Sequence, residues 1–297
     1  MSTVESTLNL EARAIPNTVV FAFVKSLAAE LSERRVDLPS VPEVVTRLQK
    51  ALSDESVSNV TVVKLVGSEP LLAARLMTMA NSAALNVSAR RIADLPTAVA
   101  RVGFNIVRSA AISFAMEQLR KSGEYRHIER DLDVLWQNSV QIAALCHVIA
   151  RRFSSLNGDT ALLAGLMHNV GRVYILARAS RSPALTGDPL TFRSILRDWH
   201  ANVAKALLET WQVSGDIVDA VAGHEDLDRE ARGPATLTDV LSLALQLEGT
   251  RNGAEMNLPG EALLKGLKRL QLQVRDCHAV LDESAEEIAA LKLALGG

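Results

Sequence analysis

The chain is poor in aromatic residues. Three Trp, two Tyr and six Phe make 4% of 297 positions. Base-stacking platforms and aromatic cages therefore do not dominate its chemistry. Cysteine is scarce too: Cys146 and Cys277 cannot build a disulfide framework, and no CxxC offers a zinc or thiol-redox site. They read as idle thiols of a reducing compartment. Neither charge predominates, since 32 Lys plus Arg face 34 Asp plus Glu, for a net charge of −2. That balance argues against a protein built to grip nucleic acid or acidic lipid electrostatically. No uninterrupted apolar run approaches a membrane span. Val19–Val24 stops at Lys25, and the acidic Glu5 and Glu11 are unlike a leader peptide. A cytoplasmic protein with no membrane partner is expected. Also missing are HExxH, Gly-x-Ser-x-Gly and Gly-rich phosphate loops.

What is present is helical periodicity. Phe192, Ile195, Leu196, Trp199, Val203, Leu207 and Trp211 recur in steps of three and four, one stripe on a helix. Leu72, Leu76 and Met79 behave alike, as do Leu263, Leu267 and Leu270. Val57–Val66 is β-branched enough to suit a strand, but Ser58 is a ready N-cap and the segment is read as helix. Breaks are visible as well. Ser40 to Glu43 has capping-box spacing with Pro42 in the first turn. Glu69-Pro70 and Leu95-Pro96 each start a new segment, and Ser180–Pro189 reads as a loop. Breaks follow at Arg232-Gly233-Pro234 and Asn252-Gly253. Apolar Leu281, Ile288, Leu291 and Leu295 form a C-terminal stripe that must be covered, by this chain or by a second copy in a homodimer. The fold class is all-α.

Candidate chemistry starts from six histidines: His127, His147, His168, His200, His224 and His278. His168-Asn169 is a polar pair set into an apolar helix and followed by Gly171. His224 and Glu225 close another apolar segment, where they either face the same pocket as His168 or belong to an exposed acidic cluster at a helix end. Arg90 and Arg91, with Arg101 and Arg108 downstream, form a candidate anion site near helix N-termini, to be weighed against a solvated face. Arg151-Arg152 and Arg178 with Arg181 read as ordinary charges at helix C-termini. Asn81, where small residues gather, is expected to bond backbone at a helix end.

Gly165-Leu166-Met167-His168-Asn169-Val170-Gly171 resembles the Gly-Leu-Leu-His-Asp-Ile-Gly core of the HD superfamily. Glu69-Pro70-Leu71-Leu72 followed by Ala80-Asn81-Ser82 resembles the Asp-Pro-x-Leu and Ala-Asn-Ser segment of the HDOD family. Leu38-Pro39-Ser40-Val41-Pro42, the Ile92 to Gly103 stretch and Trp136-Gln137-Asn138-Ser139 resemble that family's opening, central and Trp-x-x-Ser segments. Five motifs in the family's order make the resemblance specific.

The resemblance implies a helical bundle with an HD-like C-terminal half and a bacterial signalling role. It divides the chain into an extension at 1–37, an HDOD domain at 38–233 with a helical lobe to about 125, and added helices at 234–297. Its metal-binding relatives carry a His, a His-Asp pair and a distal Asp. Here Asn138 and Asn169 stand where the first His and the Asp would be. The distal position falls near Leu245. Asp239, the nearest carboxylate, lies six residues earlier, about 600° of helix rotation away. His147 is about 900° past Asn138, on the opposite face. The candidate site is thus a vestigial pocket of Asn138, His168, Asn169 and His224, with no metal, no cofactor and no catalytic residue. The expected function is non-catalytic regulation through a signalling protein or a small ligand such as a nucleotide. A metal-dependent phosphohydrolase acting on a nucleotide is the alternative.

Overall fold

The computed structural model describes residues 17–297 apart from 34, 37, 40, 87, 89, 187, 228, 230–232, 253–264, 266, 274–275, 278–279, 282–284 and 297. His278 and Ser40 lie outside the described residues. Among those described there are helices and turns and no strand.

A first group of helices forms the lobe. Helix α1 (Asn17–Ser32) precedes α2 (Glu43–Leu52), α3 (Asn59–Gly67), α4 (Pro70–Ala80) and the long α5 (Leu95–Lys121). Polar side chains start them. Ser58 accepts from the Thr61 N–H at 3.2 Å, so the β-branched segment is a capped helix. Glu69 accepts from Leu71 N–H ahead of Pro70, and Asp94 accepts from Thr97 N–H at 2.8 Å. No side chain caps α2, which Pro42 precedes. Asn81 closes α4 as expected. Its amide donates to the Met77 and Ile92 carbonyls and accepts from Ile92 N–H.

Helix α5 is broken at Gly103, whose φ of +75° is left-handed and non-helical. Among the described residues, α5 is the one helix long and apolar enough to cross a membrane, although no apolar run stands out in its sequence. Yet 67% of that stretch is buried within the protein, which makes it a core helix.

A 3₁₀ turn (Gly123–Ile128) leads into the second half. It comprises α6 (Glu129–Phe153), α7 (Gly158–Met167), α8 (Val170–Ala179), the single turn α9 (Pro183–Thr186), α10 (Pro189–Thr210), α11 (Gly215–Gly223) and α12 (Leu237–Asn252). The segment between Ser180 and Pro189 therefore holds one helical turn that the Pro and Gly residues hide from a sequence reading. Helix α6 packs along α7, α8 packs on α10, and α12 closes against α6, α7 and α11.

Two glycines set how close these pairs come. A Cβ on Gly165 would lie 2.6 Å from the Ala143 Cα of α6. One on Gly171 would lie 2.0 Å from the His200 carbonyl oxygen of α10. Both are inside contact distance with backbone, so only glycine fits.

Tertiary ion pairs tie the ends down. Arg178 and Tyr174 both bond Glu30 of α1, and Arg181 donates to Glu124 at 2.7 Å. Arg151 and Arg152 both donate to Glu287. These arginines are specific partners of distant carboxylates, not generic helix-end charges; their partners lie too far along the chain for local spacing to reveal.

Glu287 belongs to α13 (Ala285–Leu295), which lies on α6 and also touches α4 and α5. It buries Ile288, Leu291 and Leu295. Its far end is held where Arg75 donates to the Leu295 carbonyl at 2.7 Å and Trp136 Nε1 donates to the Gly296 carbonyl at 3.2 Å. The C-terminal stripe is thus covered within the chain, across both halves rather than on the HD-like half alone. Deleting residues 276–297 is expected to uncover that seam. Raised binding of a hydrophobic dye and lower solubility would report it; an unchanged protein would contradict the packing.

Candidate functional site

His168 closes α7 and is fully buried. Its Nδ1 lies 2.7 Å from the Gly165 carbonyl, and its Nε2 lies 3.1 Å from Asn138 Oδ1 on α6. Asn169 donates to Asn138 Oδ1 at 2.9 Å and to Ser139 Oγ at 3.3 Å. Arg172, one turn on, donates to Asn169 Oδ1 at 2.8 Å and to Glu225 Oε1 at 2.6 Å. His224 caps α11 and sits 6.0 Å from His168, ring centre to ring centre. The expected pocket residues Asn138, His168, Asn169 and His224 therefore do converge.

The structure adds His200 and Arg172 to them and places Glu225 in the pocket rather than in a surface cluster. His200 of α10 is buried, its ring 6.2 Å from His224 and its Nε2 3.1 Å from Glu225 Oε1, without the alignment of a hydrogen bond. Glu225 and Arg172 complete the ring of contacts. A signal for His200 existed: it falls four residues after Leu196 and three before Val203, on the buried stripe of α10. Asp239 is elsewhere, held by Arg229, Arg269 and the Thr236 N–H. From α12 Ser242 reaches the cluster, its hydroxyl donating to the His224 carbonyl at 2.8 Å. His147 faces Asp159 and Glu287, away from the cluster, and His127 lies on the 3₁₀ turn near the Ser180 carbonyl.

The proposed arginine cluster does not assemble. Arg90 and Arg91 are exposed, Arg101 donates to Ser88 Oγ at 2.9 Å, and Arg108 reaches the Leu52 carbonyl. The break at Gly103 separates Arg101 from Arg108, so helical spacing carries no register between them.

Protonation follows from these partners. In His168, His200 and His224 the Nδ1 faces a backbone carbonyl: Gly165, Leu196 and Val221 respectively. A carbonyl only accepts, so each Nδ1 carries the proton. Burial drives the His168 pKa down to about 3 and lowers that of His224. The Glu225 carboxyl is pulled down to about 2, first by His200 and then by the nearby charges.

Arg172 can only donate, and this orients both amides. Asn169 presents its oxygen to Arg172 and its nitrogen to Asn138, and Asn138 presents its oxygen to His168. Neutral His168 offers a lone pair there, so acceptor meets acceptor. The chain from Arg172 to Gly165 is one proton short.

A hydrolytic metal centre requires converging imidazoles and carboxylates. His200, His224 and Glu225 offer donor atoms within 4.8 Å of one another. The His168 corner offers amides where charge is needed, and Arg172 already holds the Glu225 oxygen. Two like unit charges 4 Å apart repel by about 4 kcal/mol near a protein surface, and a divalent ion doubles that. The cluster thus combines one group of metal-capable donors, His200, His224 and Glu225, with two amides and a guanidinium that oppose a cation.

Residues 38–227 match the family model of the HDOD domain, and the chain belongs to that family. It is 24% identical over 215 residues to an uncharacterized protein of Treponema pallidum, covering 68% of this chain and 40% of that one. The chain thus spans well under half the length of that curated relative. Among solved structures, it is similar to a candidate metal-dependent phosphohydrolase of Shewanella amazonensis, with 24% identity, a TM-score of 0.74 and coverage of 94% and 99% of the two chains. It is also similar to an HDOD domain protein of Geobacter sulfurreducens, with 24% identity, a TM-score of 0.60 and coverage of 94% and 98%. A candidate signal transduction protein of Marinobacter aquaeolei shares 20% identity at a TM-score of 0.61, over 97% of this chain and 68% of that one. These structural likenesses establish the fold.

Proposed function

We propose that this HDOD protein is a non-catalytic regulatory module of the bacterial cytoplasm. It acts by binding a signalling protein or a small ligand and reporting through its helical surface. One observation carries the reading: Arg172 bridges Asn169 Oδ1 and Glu225 Oε1. A fixed guanidinium supplies the positive charge that the surviving carboxylate needs, and it does so without activating water. The amides tie Asn138 and Asn169 to each other rather than to an ion.

A second reading, a metal-dependent phosphohydrolase, draws on the proximity of His200, His224 and Glu225. Metal analysis after exposure to manganese or iron(II), with turnover of bis(p-nitrophenyl) phosphate, separates the two. The regulatory reading expects substoichiometric metal and no turnover. Stoichiometric metal with turnover abolished in His224→Ala would replace it with the second. His168→Ala is expected to cost about 1–3 kcal/mol of stability, through the Gly165 carbonyl left without the Nδ1 proton and the space left in the core. It should remove no activity; chemical denaturation and the same turnover assay check both points.

A further inference from the structure

Away from the histidine cluster, a cavity of about 1160 Å³ opens between the two halves. The end of α4 and the following loop form one wall. The C-terminal end of α6 and the first turn of α13 form the other. From the loop comes Arg91, exposed and without a partner among the described residues. From α6 come Arg151 and Arg152, which grip the Glu287 carboxylate at 3.1 and 2.7 Å. Met77 and Ile92 give the cavity an apolar floor. None of this belongs to the vestigial pocket.

We infer that this cavity binds a nucleoside phosphate. Two guanidiniums closed on one carboxylate form the grip that also holds a phosphate, and Glu287 acts as the resident anion. Arg91 is a third cation, with no ion pair among the described residues, and Glu286 is the second carboxylate of the lining. At about 1160 Å³ the cavity is far larger than an inorganic phosphate needs and lies slightly above the roughly 300–1,000 Å³ of small-molecule sites. Its apolar floor suits a heterocyclic base beside the cationic wall. Of the arginines first considered for an anion site, Arg91 alone belongs here; Arg151 and Arg152 take the places of the others.

The geometry makes ligand and helix compete. A phosphate reaching Arg151 and Arg152 displaces Glu287, and with it the start of α13. Binding would therefore loosen a helix that spans both halves. This names a ligand for the regulatory role proposed above but rests on different residues. Nucleotide binding without hydrolysis and hydrolysis without binding here are separate results.

Isothermal titration of the full chain with ADP and with GDP, and with inorganic phosphate as comparison, tests the inference. Wild type should bind at least one nucleotide more tightly than phosphate. Arg91→Ala and Arg152→Ala, both at exposed positions, should each weaken binding by about tenfold, the loss of one charge-assisted contact. Glu287→Gln should tighten it, because the competing anion is gone. Circular dichroism of each variant confirms folding. No binding of either nucleotide by wild type or by Glu287→Gln overturns the inference. So does binding that these substitutions leave unchanged, and so does phosphate binding as tightly as the nucleotides.

Discussion

Gly171→Ala is expected to cost about 3–5 kcal/mol of stability, at the upper end for a single added methyl group. The Cβ would stand 2.0 Å from the His200 carbonyl and 2.9 Å from the Ala204 nitrogen. Neither atom ends a flexible side chain, so α8 and α10 must move apart as rigid bodies. That shift carries His200 away from Glu225 and opens the seam around the histidines. Gly215→Ala is the matched control, because nothing lies within 4 Å of its added Cβ. Urea denaturation of both variants checks the prediction. Equal midpoints for Gly171→Ala and wild type would show that the two helices do not approach so closely.

Acidification gives the second large effect. The His168 pKa is lowered on folding to about 3, so the unfolded chain takes up a proton that the folded chain refuses. Stability is therefore complete above the ordinary histidine value and falls as pH drops toward the folded value. Between pH 7 and pH 5 this one residue should remove about 2 kcal/mol. His224, also lowered, acts in the same sense. So does Glu225, whose depressed carboxyl loses its contribution further down, as pH falls from 4.5 toward about 2. His168→Gln should flatten the pH 7 to pH 5 decline by about 2 kcal/mol while being less stable at pH 7. Denaturation midpoints at the two pH values decide it; parallel declines for variant and wild type would show that His168 is readily protonated in place.

The helical architecture was legible because periodicity and caps are local. Ser58, Glu69-Pro70 and Leu95-Pro96 announce helix starts locally, and the structure adds Asp94 as the cap ahead of Leu95. The HDOD motifs were legible in order from Leu38 onward. His168 and Asn169 stood out because a polar pair interrupts an apolar run. Arg172 and His200 did not, since their convergence on Glu225 depends on the α8–α10 contact that Gly171 permits. The arginine grouping failed because a left-handed Gly103 breaks the register on which it rested. Arg151 and Arg152 looked like helix-end charges because their carboxylate lies more than a hundred residues away.

Helix α13 has a consequence for the order of folding. Most contacts in the second half join elements that follow one another along the chain, such as α6 with α7 and α10 with α11. Such neighbours close short loops and form early. The bond from Arg75 to the Leu295 carbonyl spans 220 positions. A closure that long gains little until its partners are already shaped, so α13 docks last. By the same logic it is expected to open at a free energy below that of global unfolding. Such an opening would expose the seam between lobe and HD-like half while both halves stay folded.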